Sequence, residues 1–127
     1  MNDMLIDTSI FIGLENGRLG QNKFPPLSSV SVVTVGELRL GVLSASTLEA
    51  RARRLRTLSL AESFEPLPID DTVAQAWAVL RAKLHAAGKK AFTNDSWIAA
   101  TAIARGIPVA TQDGDYDEMP GVRVIRI

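Results

Sequence analysis

The chain has 127 residues, no cysteine, and 14 basic against 14 acidic residues, so its formal net charge is zero. That length suits one domain with a real core and is too short for two. Neutrality excludes a constitutive nucleic-acid coat, which is normally basic. The missing cysteines exclude disulfides, thiolate metal sites and a cysteine nucleophile. Hydrophobic residues make up 46% and charged ones 22%, an ordinary globular balance, so a single domain over 1–127 is expected. No apolar run approaches the ~20 residues of a membrane span, and Asp7 arrives before a signal-peptide core can form. A cytoplasmic protein with no membrane partner is the expectation.

Short apolar runs alternate with amphipathic stretches, the pattern of βαβ units around a mainly parallel sheet flanked by helices, an α/β fold of three layers. A first strand is read at Met4–Ile6, then a short helix over Ser9–Asn16 closed by Gly17, then a surface connection over Gln21–Ser29 containing Pro25 and Pro26. A second strand follows at Val30–Val33. Thr34-Val35-Gly36-Glu37 fits a capping box, with Glu37 at its third helical position and Val35, Leu38 and Val42 on one face. Ser46-Thr47-Leu48-Glu49 repeats the start signal, and Leu48, Ala52, Leu55 and Leu58 or Ser59 line one side of the helix after it. The two helices make an αα-hairpin around Leu43–Ala45. A third strand is placed at Glu65–Ile69. Asp70 caps a helix with Val73, Trp77, Leu80 and Leu84 at helical spacing, ended by Gly88. An Ala-rich helix runs from about Asp95 to Arg105 and stops at Gly106. Strands at Pro108–Ala110 and Val122–Ile125 complete the chain, and spacing alone leaves their order in the sheet open.

Asp7, Glu37, Asp95 and the Asp113/Asp115 pair fall at strand ends or in the first turns of the following helices. In an open α/β sheet that edge holds the pocket. Carboxylates gathered there repel one another unless a divalent cation joins them, and an all-carboxylate set without His or Cys suits Mg²⁺ or Mn²⁺ better than zinc. Each acid has a structural alternative. Asp7 can be a helix N-cap, Glu37 a capping-box residue, Asp95 a partner of a helix dipole, and Asp113–Asp117 an acidic turn. The ordered set favours a metal-dependent phosphodiesterase.

Leu5-Ile6-Asp7-Thr8-Ser9, Thr34-Val35-Gly36-Glu37-Leu38-Arg39-Leu40-Gly41, Asn94-Asp95-Ser96-Trp97-Ile98-Ala99-Ala100 and Val109-Ala110-Thr111-Gln112-Asp113-Gly114-Asp115-Tyr116 resemble the consecutive motifs of PIN-domain ribonucleases, and most closely the VapC toxins of bacterial toxin–antitoxin pairs. The resemblance spans the chain. It implies a Mg²⁺-dependent endoribonuclease with Asp7, Glu37, Asp95 and Asp113 as metal-site acids and Asp115 as a further member. It makes Ser9 and Thr111 supporting polar residues, and a cognate antitoxin the partner. The family often has Phe where this chain has Tyr116.

Other features are read plainly. His85, the single histidine, sits near a helix end, where it offsets the dipole. Arg51, Arg53, Arg54 and Arg56 form a solvated face, with RNA contact as the alternative, and Arg39, Lys89 and Lys90 are further RNA-binding candidates. Trp77 and Trp97 are placed in core or subunit packing. Trp77, Val79, Leu80 and Leu84 cover a wider arc than one sheet-facing stripe needs, which with the Ala-rich helix suggests a two-fold homodimer. Gly13, Gly17 and Gly20 do not make a dinucleotide fingerprint. Competing readings are a flap-type nuclease acting on DNA, a phosphoryl receiver or phosphatase, and a non-catalytic α/β binding module. A phosphatase of that type wants Asp at position 9, which is Ser, and a receiver wants paired acids near the first strand.

Overall fold

A computed structural model describes residues 4–19, 28–90 and 92–127. Its elements in chain order are β1 (Leu5–Ile6), α1 (Thr8–Glu15), β2 (Ser29–Ser31), α2 (Val32–Leu43), α3 (Leu48–Ser63), β3 (Glu65–Leu67), α4 (Asp71–Ala86), α5 (Thr93–Arg105), β4 (Val109–Thr111) and β5 (Val124–Arg126). The sheet order is β3-β2-β1-β4-β5 and every pairing is parallel, with Leu5 opposite Ser29 on one side and Val109 on the other. The chain winds outward from β1 through β2 to β3, then returns to the other side of β1 with β4 and β5. The β1/β4 junction is therefore the switch point, and the crevice of such a sheet opens beyond the strand carboxyl ends there.

Two apolar layers hold the sheet. Leu5, Val109, Leu67, Leu80, Leu84, Ile98, Ala99, Ala102, Tyr116 and Met119 pack together between the sheet and the α4/α5 pair. Ile6, Ile10, Phe11, Val30, Leu38, Val42, Leu58 and Ala61 pack on the side of α1, α2 and α3, where the Phe11 and Phe64 rings meet edge to face at 6.0 Å. Successive strand residues point to opposite faces, so Leu5 belongs to the first cluster and Ile6 to the second. Gly106 ends α5 in the left-handed region at φ 68°, as its place after Arg105 requires. Gly13 is fixed by space instead. A Cβ there would lie 2.7 Å from Gln112 Oε1, so any larger residue would make the Gln112 side chain move aside.

Several boundaries differ from the sequence reading. The strand read at Val30–Val33 ends at Ser31, whose hydroxyl accepts from Val33 N–H (3.0 Å) and starts α2 three residues before Thr34. Thr34 is consequently not a cap, and Glu37 lies past the first turn rather than in a capping box. For α3 the cap is Thr47, accepting from Ala50 N–H, not Ser46. Its buried face is Thr57, Leu58 and Ala61, and Leu48, 84% exposed, and Leu55 face outward. The helix packs through its second half. The remaining strands begin or end one to two residues from their expected positions. The connection placed at Gln21–Ser29 lies outside the described residues up to position 27, and Ser29 itself opens β2. Leu80 and Leu84 are in the protein's own core, as are Ala99, Ala100 and Ala102, so the surplus apolar arc behind the expected dimer shrinks to Val79 and its neighbours. Trp77 stacks on Trp97 at 4.4 Å with the rings 4° from parallel.

Candidate active site

β1 ends at Ile6, and the next side chain, Asp7, is the N-cap of α1: its Oδ2 accepts from Ser9 N–H (3.3 Å). The capping and site readings of Asp7 are thus compatible. The residue is only 2% exposed, and two further donors hold it. Thr111, the last residue of β4, donates its hydroxyl to Oδ2 (2.9 Å), and the Tyr116 hydroxyl donates to Oδ1 (2.7 Å). Because the Thr111 proton is committed to Asp7, the Ser9 hydroxyl donates to Thr111 Oγ1 (3.1 Å) and itself accepts from Gln112 N–H (3.0 Å). Thr111 Oγ1 also accepts from Asp113 N–H (3.0 Å). One directed chain of donors therefore fixes Asp7 and ties the turn after β4 to the start of α1.

Glu37 enters from α2. Its Oε1 accepts from the Thr8 hydroxyl (2.7 Å) and its Oε2 lies 3.4 Å from the Asn94 amide nitrogen at the start of α5. Asp95 is in the first turn of α5, which has no side-chain cap hydrogen bond. The Tyr116 oxygen stands between the two central acids, bonded to Asp7 and 3.4 Å from Asp95 Oδ1. Asp7, Glu37, Asp95 and Asp113 line one cleft of about 240 Å³ with Thr8, Ser9, Ile12 and Arg18. Asp115 is outside that lining but hydrogen-bonds to Asp95.

Electrostatics record the crowding. Burial pushes the Asp95 carboxyl up to about 7, and the neighbouring Asp7, Asp115 and Glu37 push it the same way. Asp113 is raised by burial, then by Asp7 and Asp115, and lowered in part by Arg126 and Arg18. Burial above all, then Asp7, raises Tyr116, so it stays a neutral donor. A carboxylate raised above its ordinary value keeps in the folded state a proton that the unfolded chain releases. Between roughly pH 4 and 7 folding therefore takes up that proton, and stability from this group grows as pH falls through 7. In EDTA, wild type should gain melting temperature between pH 8 and pH 5.5 relative to Asp95→Asn, and saturating Mg²⁺ should remove that gain. Parallel pH profiles of the two proteins in EDTA would contradict the assignment.

The all-oxygen donor set fits a hard divalent cation. Among the described residues, no three acidic or histidine side chains reach the spacing of a formed coordination shell. The hydroxyls of Tyr116 and Thr8 occupy carboxylate oxygens that a cation would also seek. Sequence reasoning missed Tyr116 as a polar group, and it missed Thr8, Asn94 and Arg18 altogether. The RNA-contact candidates lie elsewhere. Arg39 pairs with Glu62 (2.8 Å), Arg54 donates to the Gly41 carbonyl (2.7 Å), and Arg51 is exposed on α3. Lys89 and Lys90 line a separate groove.

The PIN-domain sequence profile matches residues 4–122. The chain is 58% identical to ribonuclease VapC4 of Mycobacterium tuberculosis over 124 residues, 97% of this chain and 95% of that one. It is 45% identical to ribonuclease VapC5 of the same organism, over 97% and 94%. Its fold superposes on the crystal structure of the toxin–antitoxin system VapBC-5 from M. tuberculosis with a TM-score of 0.89, 42% identity and full coverage of both chains.

Proposed function

The chain belongs to the PIN-domain family, and from that premise we propose that it is a divalent-metal-dependent endoribonuclease, the toxin of a type II toxin–antitoxin pair. Ribonucleases of this family generally work with a divalent metal. The observation that carries the reading is the convergence of Asp7, Glu37, Asp95 and Asp113 from four separate segments into one cleft at the switch point of the sheet. Mg²⁺ is the proposed ion and Mn²⁺ its substitute. Asp7 and Asp95 are the central ligands, Asp113 and Asp115 complete the set, and Glu37 orients it. A divalent ion bound by those carboxylates would supply Lewis-acid polarisation of the phosphodiester and would lower the pKa of a water enough for attack near neutral pH.

The protein's own groups supply position and charge. The Ser9–Thr111 chain and Tyr116 fix the Asp7 carboxylate, so its orientation costs no reorganisation when substrate arrives. Arg18 lines the cleft, the one cation among the described residues to do so. The Ser9, Thr111 and Thr8 hydroxyls are all committed to hydrogen bonds within the network, which favours hydrolysis by water over attack by a protein hydroxyl. Cleavage of cellular RNA should be abolished by EDTA and restored by Mg²⁺ or Mn²⁺; full cleavage in EDTA would overturn the reading.

The antitoxin is proposed to lie across the α2–α3 hairpin and reach into the acids. A cleft of about 440 Å³ lined by Ile12, Leu38, Leu40, Gly41 and Arg54 shares Thr8, Ile12 and Glu37 with the acidic cleft, so one extended segment can cross both. Leu40, Leu43 and Leu48 stand exposed beside it, Leu43 at 71%. A cationic side chain, best an Arg, would enter the carboxylates while apolar residues cover the leucines. Leu40→Glu and Leu43→Glu should each weaken the complex at least tenfold, leave melting within a degree or two, and leave RNA cleavage intact. Undiminished affinity in both variants would place the partner elsewhere. A two-fold dimer remains part of the proposal, with its seam over Ala76, Val79, Ile103 and Ala104, and light scattering at tens of micromolar tests it.

A further inference from the structure

Outside the acidic site, the residues richest in unassigned chemistry lie at the far end of α4. A groove of about 520 Å³ is lined by Arg81, Ala82, Leu84, His85, Lys89 and Lys90. Four of these six are Arg, His or Lys, and no acid is among them. In a chain of zero net charge with four of its 14 acids lining one cleft, this is a local concentration of the opposite sign. Lys89 has an ion-pair contact, to Glu118 at a loose 3.7 Å with both side chains well exposed, which water and salt screen. The Arg81 guanidinium lies 5.8 Å over the Trp77 ring, which holds that cation on a fixed platform.

The groove is separate from the acidic cleft, and two short stretches of chain run from one to the other. The connection from α4 to α5 carries Lys89 and Lys90, then Phe92, then Asn94 and Asp95 within one helical turn. The turn after β4 sends Asp115 to Asp95 and, three residues later, Glu118 to Lys89. Leu84, which lines the groove, and Tyr116, which bonds Asp7, belong to the same core cluster. Phe92, between the two sites in sequence, is 66% exposed, an aromatic ring with no core to bury it.

We propose that this groove is the seat for the single-stranded flank of the RNA, with backbone phosphates on Arg81, His85, Lys89 and Lys90 and one base stacked on Phe92. The inference rests on the ribonuclease reading and deepens it. The acids alone repel a polyanion, so a neutral nuclease needs a cationic surface beside the cleft to hold substrate, and aromatic stacking adds affinity without demanding a sequence.

The test separates binding from cleavage. Anisotropy of a labelled 12-nucleotide RNA of mixed sequence is followed in EDTA, so that no metal contributes. The double variant Lys89→Glu/Lys90→Glu should bind at least tenfold more weakly, and the slope of log affinity against log salt should fall by about 1.4 for two lost phosphate contacts. Phe92→Ala should weaken binding roughly tenfold with no change of salt slope, because stacking is uncharged. Arg123→Glu, an exposed position just before β5, should bind as wild type does. Unchanged affinity in the lysine and phenylalanine variants, an equal loss in Arg123→Glu, or no RNA binding by wild type would overturn the groove. Cleavage of cellular RNA by wild type in Mg²⁺ judges the ribonuclease reading separately, so either can fail alone.

Discussion

Asp7→Asn and Asp95→Asn are each expected to lower RNA cleavage by roughly a thousandfold, because each removes a central charge from the proposed metal set. The fold should survive both changes. Asn is as good an N-cap as Asp, so α1 keeps its start when Asp7 is replaced: an amide oxygen in the Oδ2 place accepts from Ser9 N–H and Thr111, and the amide nitrogen donates to the Tyr116 oxygen, whose proton turns to Asp95. Asp95→Asn removes a carboxyl that burial, and then its acidic neighbours, push up to about 7, so the metal-free variant should melt no lower than wild type at pH 8. Initial rates on cellular RNA in Mg²⁺, beside melting curves in EDTA, give both readouts. Full turnover in either variant would remove that residue from the site.

Glu37→Gln should lower cleavage by roughly ten- to a hundredfold with little change in melting. The magnitude is that of losing a group that orients or completes a metal set. The neutral isostere keeps an oxygen for the Thr8 hydroxyl and loses the charge together with the long contact to the exposed Asn94 amide. A helix-capping role would have given the opposite pattern, altered stability with intact rate, but α2 starts at Ser31 and Glu37 lies beyond its first turn. Cleavage at the wild-type rate would leave Glu37 as a spacer between Thr8 and Asn94.

The contrast at Glu37 shows what was legible in the sequence and why. The Thr34–Glu37 pattern satisfies a capping box locally, yet Ser31 took the role because β2 passes into α2 without a loop, and the hydroxyl at the strand end was nearer to the orphan amide. Asp7 and Asp113 were readable because each follows a strand whose carboxyl end faces the switch point, whereas Glu37 lies one turn further into α2 than expected and Asp95 opens a helix that follows α4, so packing brings those two to the cleft. The hydroxyls that organise the acid set were not readable. Tyr116 reads as one more core aromatic, and its bond to Asp7 spans 109 residues. Thr8 meets Glu37 only because α1 and α2 both begin at adjacent strand ends. Helical spacing placed Leu80 and Leu84 correctly on a buried stripe but could not say whether the sheet or a second copy covers them. On α3 it placed Leu58 correctly but not Leu48, Ala52 or Leu55, because the residues the helix buries against α1 and α2 all lie in its second half.

Calorimetric titration of the metal-free protein with Mn²⁺ tests the central claim most directly, that the converging acids are a cation site. Wild type should take up Mn²⁺ saturably, with one or two ions per chain, releasing a proton below pH 7 as Asp95 ionises, and Asp7→Asn and Asp95→Asn should lose that uptake. No saturable uptake by wild type, or the same isotherm in both variants, would contradict the account.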